Sequence, residues 1–381
     1  MNFEEHAAKP LLRAAGIATP RGCLARSGAE ARAAAAELGV PVVVKAQVPA
    51  GKRGKAGGIR TADGAAAAGE AAEAILGMDI AGHRVESVLV EERAAIAAEY
   101  YAAVLNDPVS KGPLVMFSPE GGMDIEEVAV SKPGRVRRAP VDISRGLDAD
   151  SARALLDGFG PELDDAAVAE VLVALYQAYR GNDAELLEIN PLARLDDGRL
   201  VALDCKLVLD DSAIKRREAL AGAGSPEPAT ELETRAQALD LKYIELDGDI
   251  GVIANGAGLT MTTMDVITDQ GGKPANFLEI GGESYTKARP ALELLLDNPR
   301  VKCLVVNFCG AFARTDVMTG GVLDAWEALS PDLPVFFSVH GTGATEARAM
   351  LLERLGMTPY PTMDEAIAAA VAAARAAGGA T

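Results

Sequence analysis

Cysteine, long apolar runs and excess positive charge are all scarce in this sequence, and each shortage removes a class of function. Cys23, Cys205, Cys303 and Cys309 show no C-x-x-C spacing and sit mostly in apolar runs, as reduced, buried thiols do. Neither a disulfide framework nor a zinc site is indicated. No apolar run reaches the ~18 residues that span a bilayer, and the stretch Met1-Asn-Phe-Glu-Glu-His6 is acidic rather than basic. A soluble, unprocessed protein, most simply cytoplasmic, is therefore expected. Basic residues number 37 against 55 acidic ones, a formal net charge of -18. Long-range repulsion then opposes nucleic acid and anionic membrane surfaces, so any anion has to be captured locally.

What is present begins with a hairpin. Glu188-Ile-Asn190-Pro191-Leu192 and Val201-Ala-Leu-Asp204-Cys-Lys206 flank Asp196-Asp197-Gly198, a turn suited to a three-residue loop with Gly198 in the left-handed conformation. If residues 195 and 199 close that loop, Asn190 lies opposite Asp204 and Glu188 opposite Lys206, and alternation puts all four on one face. An amide oxygen beside a carboxylate on a rigid sheet is a hard-oxygen pair that Mg2+ accepts together with water and phosphate oxygens. From spacing alone this face is equally a solvated hairpin surface.

The chain leading to it mixes helices and strands. Helical spacing covers residues 3 to 16, Gly28 to Leu38 and 62 to 78; Val40 to Lys45 is a compact β-branched run. That run enters Ala50-Gly51-Lys52-Arg53-Gly54-Lys55-Ala56-Gly57-Gly58, whose glycine amides and cations suit phosphate. It lacks the G-K-[ST] of a P-loop, and a solvated basic turn has the same composition. Strands at 85 to 90, 99 to 105 and 113 to 117 follow, with helices near 150 to 158 and 163 to 179. The stretch from Asp124 to Val128 reads as an acidic face beside the Gly121-Gly122 pair, either functional or, more commonly for such a composition, a solvated loop. Antiparallel sheets in an α+β architecture are expected for this half. Residues 211 to about 240 read as a helical and loop connector.

The last third changes rhythm. Gly251 to Asn255, Val301 to Asn307 and Pro334 to Val339 are strands, each ending in a glycine-bearing turn and running into a helix. Three such units predict a parallel sheet whose functional edge lies at the strand C-termini, where helix N-termini receive a carboxylate or phosphate.

The ordered motifs resemble the β subunit of succinyl-CoA synthetase across essentially the whole chain. They comprise Met1, Asn2, Glu5, Ala8 and Lys9; Val43 to Gly58; and the segments at 188 to 192, 255 to 259 and 274 to 278. The resemblance implies an ATP-grasp domain over 1–237 and a flavodoxin-like CoA-ligase domain over 246–381. It implies that Lys45, Lys52, Arg53 and Gly54 contact nucleotide phosphates, that Glu91 and Glu99 lie along the nucleotide, and that Asn190 and Asp204 bind Mg2+. Glu188 would face a phosphohistidine delivered by a partner α subunit, which also carries the CoA-binding domain. Asn255, Ala311, Phe312 and Ala313 would hold the organic acid. The implied reaction uses ATP or GTP, a carboxylic acid and CoA to form an acyl-CoA. His6 and His83 lie in contexts unlike the phosphorylated histidine, so this chain resembles half of an enzyme.

Departures from the family pattern gather at 281–286, 309–316 and 338–343, the segments expected around the acid, and Lys52 replaces a glycine in the phosphate loop. Succinate or a related di- or tricarboxylate is expected as the acid. Malate, citrate or another substituted acid, or a non-catalytic regulatory role, are the alternatives. His340 reads either as a substrate contact or as an ordinary loop histidine.

Overall fold

The computed structural model describes residues 1–160, 163–225, 229–280 and 287–378. Two compact units divide the chain, residues 1–227 and residues 228–381. The first opens with α1 (Glu5–Ala14), β1 (Gly22–Ala25), α2 (Gly28–Leu38), β2 (Val42–Gln47), β3 (Ile59–Ala62) and α3 (Ala65–Ile75). A small hairpin of β4 (Asp79–Ile80) and β5 (His83–Arg84) leads to β6 (Ser87–Glu92). Strands β1, β6, β2 and β3, in that spatial order, form an antiparallel sheet. Its core is valine from the strands against alanine from α2 and α3, among them Val44, Val88, Ala31 and Ala72, which lets the two helices lie close to the sheet.

The rest of this unit runs through β7 (Ile96–Asp107), β8 (Gly112–Ser118), α4 (Ile125–Ser131), β9 (Arg137–Pro140), α5 (Ala149–Leu156) and α6 (Asp165–Gly181). It ends with β10 (Ala184–Leu195), β11 (Leu200–Ala202), β12 (Lys206–Leu209) and α7 (Glu218–Ala221). The second antiparallel sheet has the order β11-β10-β7-β8-β9, and β12 also pairs with β10. Helices α1 and α6 bury Leu12, Leu172 and Leu175 with Val104, Phe117 and Leu187 of the strands. The expected hairpin forms: Leu195 and Arg199 close the turn, Gly198 has φ +87°, and Glu188 pairs with Lys206 and Leu192 with Ala202. The segment from Asp124 is not a loop but α4, which Asp124 caps by accepting from the Glu126 amide.

In the second unit, α8 (Glu231–Ala238), β13 (Lys242–Glu245), β14 (Ile250–Ala254), α9 (Ala257–Asp269), β15 (Asn276–Glu279) and α10 (Ala288–Leu296) precede β16 (Cys303–Gly310). Then come α11 (Thr315–Leu329), β17 (Val335–Gly341), α12 (Ala344–Leu355) and α13 (Met363–Gly378). The sheet order is β13-β15-β14-β16-β17, parallel except for the edge strand β13. One face packs on α9 and α13, the other on α8, α10, α11 and α12. Between β14 and β16 the winding direction reverses, which makes their C-terminal ends the switch point where doubly wound sheets bind ligands.

Two expectations need correction. The segment 211–240 is not a free connector: Ala213 is buried in the first unit's core and Ala236 in the second's, so α8 belongs to the second unit and its boundary precedes residue 237. Of the four thiols only Cys205 and Cys303 are buried; Cys23 lies on edge strand β1 and Cys309 at the end of β16, and both are exposed. Among the described residues no helix is long and apolar enough to cross a membrane.

Candidate functional site

In the first unit a cavity of about 770 Å³ is lined by the glycine loop, Lys45, Glu91, Glu99, the Gly122–Glu126 segment and the β10–β12 face. Strand β10 builds one wall. Its pairing with β7 matches Ile189 to Ala102 and then Leu192 to Tyr100, so Asn190 and Pro191 together oppose Tyr101. That two-against-one count is a β-bulge, a device that re-aims side chains beside functional clefts. Tyr101 is the diagonal neighbour of Glu188 on the same face, and its hydroxyl donates to Glu188 Oε2 at 2.9 Å. Burial pushes the Glu188 carboxyl above its ordinary range, against the opposing pull of the Tyr101 hydrogen bond and Lys206.

Asn190 is fixed at both ends of its amide. Its Oδ1 accepts from the Gly122 amide at 2.8 Å and its Nδ2 donates to Met123 O at 2.9 Å. The glycines are required here: a Cβ on Gly121 would sit 2.4 Å from the Tyr100 backbone, and one on Gly122, already at φ +69°, 2.6 Å from Glu99 Oε2. Asp204 Oδ1 accepts from the Cys205 amide at 2.8 Å and from Arg53 Nη2 at 2.6 Å.

Beneath this wall lies a buried network of ion pairs. Lys9 Nζ contacts Glu5 Oε1 at 2.6 Å, Glu91 at 2.6 and 2.7 Å, and Leu203 O at 3.0 Å. Lys45 Nζ meets the same acceptors: Glu5 at 2.9 Å, Glu91 at 2.8 Å and Leu203 O at 2.5 Å. Arg53 adds Glu5 Oε2 at 2.9 Å and Ala46 O at 3.0 Å to its pair with Asp204. Glu5, Lys9, Lys45, Arg53 and Glu91 are all buried. Burial alone would raise the Glu5 carboxyl, but Lys45, Lys9 and Arg53 outweigh it and hold it well below its ordinary value. Likewise burial disfavours charge on Lys45, and Glu5, Glu91 and Asp204 reverse this and push its pKa up.

The glycine loop therefore divides. Arg53, expected to contact phosphate, is a buried strut between α1 and the hairpin, its guanidinium engaged by Glu5, Asp204 and Ala46 O. Lys52, Gly54 and Lys55 are exposed. Lys52 reaches Asp124 Oδ2 at 2.8 Å and Lys55 reaches Glu127 at 3.6 Å, so the loop faces the start of α4 across the cavity mouth. Glu91 lines the cavity but is committed to Lys9 and Lys45, whereas the half-buried Glu99 makes no side-chain hydrogen bond or ion pair among the described residues, and burial raises its carboxyl.

In the second unit, Asn255 follows β14 at the switch point. Both ends of its amide are engaged, Nδ2 donating to Cys309 O at 2.9 Å and Oδ1 accepting from the Cys309 amide at 2.7 Å. It clamps the end of β16. Helices α9, α11 and α12 begin at this edge, and none has a side chain capping its first turn. The Thr315 amide that opens α11 donates to Thr342 O at 2.9 Å, whereas the first amides of α9 and α12 have no acceptor among the described residues and remain open to an anion. Ala311 and Phe312 are exposed, Phe312 at 105%, while Ala313 packs against the core.

Residues 2–194 match the ATP-grasp domain family and residues 253–373 the CoA-ligase family. The sequence is 44% identical over 373 residues, 98% of each chain, to the GDP-forming succinate–CoA ligase subunit beta of Thermus thermophilus. The chain belongs to the succinate–CoA ligase β-subunit family. It is 43% identical over 355 residues, 93% of each chain, to the ADP-forming subunit beta of Rubrobacter xylanophilus. In fold it is like an ATP citrate lyase from Methanothrix soehngenii solved with citrate and coenzyme A, with a TM-score of 0.71 over 97% of this chain and 99% of that one at 23% identity.

Within this succinate–CoA ligase β-subunit chain, Lys52 stands where the family pattern has glycine, and its φ of +63° is a left-handed conformation that glycine adopts freely. The site also holds residues that the sequence left without a role: Glu5, Lys9 and Tyr101. Glu5 and Lys9 are one turn apart beside the apolar stripe of Ala8 and Leu12, a placement that itself calls for buried counter-charges. Nothing local announces Tyr101, because its partner arrives from a strand 87 residues away. The altered segment 281–286 lies outside the described residues. At 309–316 and 338–343 the strand ends are tight, since a Cβ on Gly341 would fall 2.0 Å from Gly310 O. His340 registers beside Cys309 and is half-buried.

Proposed function

We propose that this chain is the nucleotide-binding β subunit of an ADP- or GDP-forming acyl-CoA ligase that works with an α subunit carrying the CoA-binding domain and a reactive histidine. In this reading the γ-phosphoryl group leaves the nucleoside triphosphate for an imidazole nitrogen of the partner's histidine, releasing the diphosphate. The acid's carboxylate then takes the phosphoryl group, and the CoA thiolate displaces phosphate to form the thioester. The carrying observation is the first unit's cavity, where the glycine loop, Lys45, Glu188, Asn190 and Asp204 line one space.

The donors suit Mg2+. Asn190 Oδ1 keeps one lone pair beyond its bond to Gly122, and Asp204 Oδ2 has no hydrogen-bond partner among the described residues. Two hard oxygens on fixed elements match an ion that retains water and phosphate ligands. Bound there with nucleotide, Mg2+ supplies neutralisation of phosphate charge. Lys45 has its three donors occupied, yet Lys9 holds the same two carboxylates and the same carbonyl. Lys45 can therefore turn toward a phosphate without leaving Glu5 and Glu91 unneutralised. Lys52 and the loop amides add contacts from the cavity mouth, and Glu99 lies along the nucleotide. Glu188 faces the cavity to orient and charge-stabilise the partner's imidazole.

For the acid we propose the switch-point edge of the second unit, with Asn255 bracing β16 and the 311–313 loop and open helix N-termini facing the carboxylate. Succinate or a related di- or tricarboxylate is the first reading. The full exposure of Phe312 supports a second, a differently substituted acid such as malate or citrate. Co-expression with the α subunit and a thioester assay over a panel of acids, each with ATP and GTP, tests both. Nucleotide-, acid- and CoA-dependent thioester formation is expected. Strong preference for succinate removes the second reading, and no turnover with any acid removes the first.

A further inference from the structure

We propose that Tyr101 is a positioning residue for phosphoryl transfer, holding one oxygen of Glu188 so that the other is presented to the reacting imidazole. This rests on the reading of Glu188 given above. The geometry that carries it is the pairing of β10 with β7. Glu188 lies opposite Ala103, and Tyr101, two residues along β7 from Ala103, projects on the same face as Glu188, while Tyr100 packs on the other face in the core with α6. The ring is buried at 3% exposure, flanked by Ala103 and Met116 in a small cluster of its own. Its hydroxyl can reach one acceptor, and that acceptor is Glu188 Oε2 at 2.9 Å.

Glu188 Oε1 makes no hydrogen bond among the described residues, and Glu188 lines the cavity. A carboxylate on a three-bond stem is otherwise free to rotate. A hydrogen bond from a side chain with only two torsions, itself packed in place, removes that freedom. Tyr101 itself does not line the cavity. Its effect on chemistry therefore runs through Glu188 and leaves nucleotide binding alone.

The experiment is a two-residue cycle in the complex with the α subunit, reading phosphorylation of the partner's histidine from γ-labelled nucleotide in a single turnover. Tyr101→Phe removes only the hydroxyl. We expect it to slow transfer about tenfold, the scale of one charge-assisted hydrogen bond, with the KM for nucleotide unchanged, which also reports an intact fold. In the Glu188→Gln background, itself much slower, the same substitution is expected to have no further effect. Wild-type transfer by Tyr101→Phe, a rise in nucleotide KM that accounts for the loss, or an equal loss in the Glu188→Gln background overturns the positioning role. Wild-type transfer by Glu188→Gln instead overturns the assignment of Glu188 on which it rests.

Discussion

Arg53 Nη2 and Asp204 Oδ1 meet at 2.6 Å although 151 residues separate them. The contact joins the glycine loop to the hairpin that carries Asn190, and it is the outer end of a buried chain of charges running through Glu5, Lys45 and Glu91 to Lys9. The residues proposed to handle phosphate and to hold the metal are thus one electrostatic unit, and disturbing one member is felt by the others.

Removing Arg53 leaves Glu5 and Asp204 short of a counter-charge. Arg53→Met is expected to lower unfolding stability by about 3 kcal/mol, the usual scale for breaking a buried pair from one side. Urea unfolding of the purified chain measures it. A loss of under about 0.5 kcal/mol, typical of an exposed surface site, would show the network to be unimportant to the fold.

The same network sets an acid limit. The Glu5 carboxyl is depressed below its ordinary 4.5 in the folded chain, so its contribution is complete above that value and is lost as pH falls below it toward the lower folded value. Glu5→Gln should therefore be less stable than the parent at pH 7, with the gap narrowing below about pH 4.5. Denaturation curves at several pH values for the two proteins compare them directly; a gap independent of pH contradicts the assignment.

How much of this was readable beforehand depended on distance in sequence. The hairpin register was legible because turn chemistry fixes it locally: Gly198 at φ +87° closes a three-residue loop and the alternation does the rest. The three strand-turn-helix units of the second unit were legible for the same reason. The edge strand β13 and the short strands β1, β3 and β9 were not, since four residues with mixed burial carry no clear alternation. Arg53 was read as a phosphate contact because a Gly-rich basic loop looks the same whether its arginine points out or back into the network. Only the tertiary fold, which brings Glu5 and Asp204 to it, decides.

Lys52 holds a left-handed backbone conformation and pairs with Asp124 across the cavity mouth. Lys52→Gly relieves the backbone conformation and removes the cation. The expected outcome is an unchanged or higher unfolding midpoint together with a nucleotide KM raised about fivefold, as for loss of one exposed charge-assisted contact. The KM difference should shrink with added salt. An unchanged KM at low ionic strength would remove Lys52 from the nucleotide site.

Among the described residues Phe312 is the most exposed large apolar one, and it stands on the loop proposed to meet the acid. Phe312→Ile is expected to change KM for the acid at least threefold while leaving nucleotide KM alone, since about one to two buried methylenes are at stake. Steady-state kinetics over the acid panel give both constants. Equal values for every acid would place the acid elsewhere.

The central claim is that the first unit's cavity moves a phosphoryl group onto a histidine of a partner subunit, and one measurement addresses it most directly. The chain, its α subunit, Mg2+ and γ-labelled ATP or GTP are mixed without acid or CoA, and acid-labile, base-stable label on the α subunit is followed. The account predicts label on the partner with the parent chain, and label reduced at least about a hundredfold with Asp204→Ala or Glu188→Gln. Nucleotide bound by the parent chain with no label on the partner, or full labelling by both variants, would contradict it.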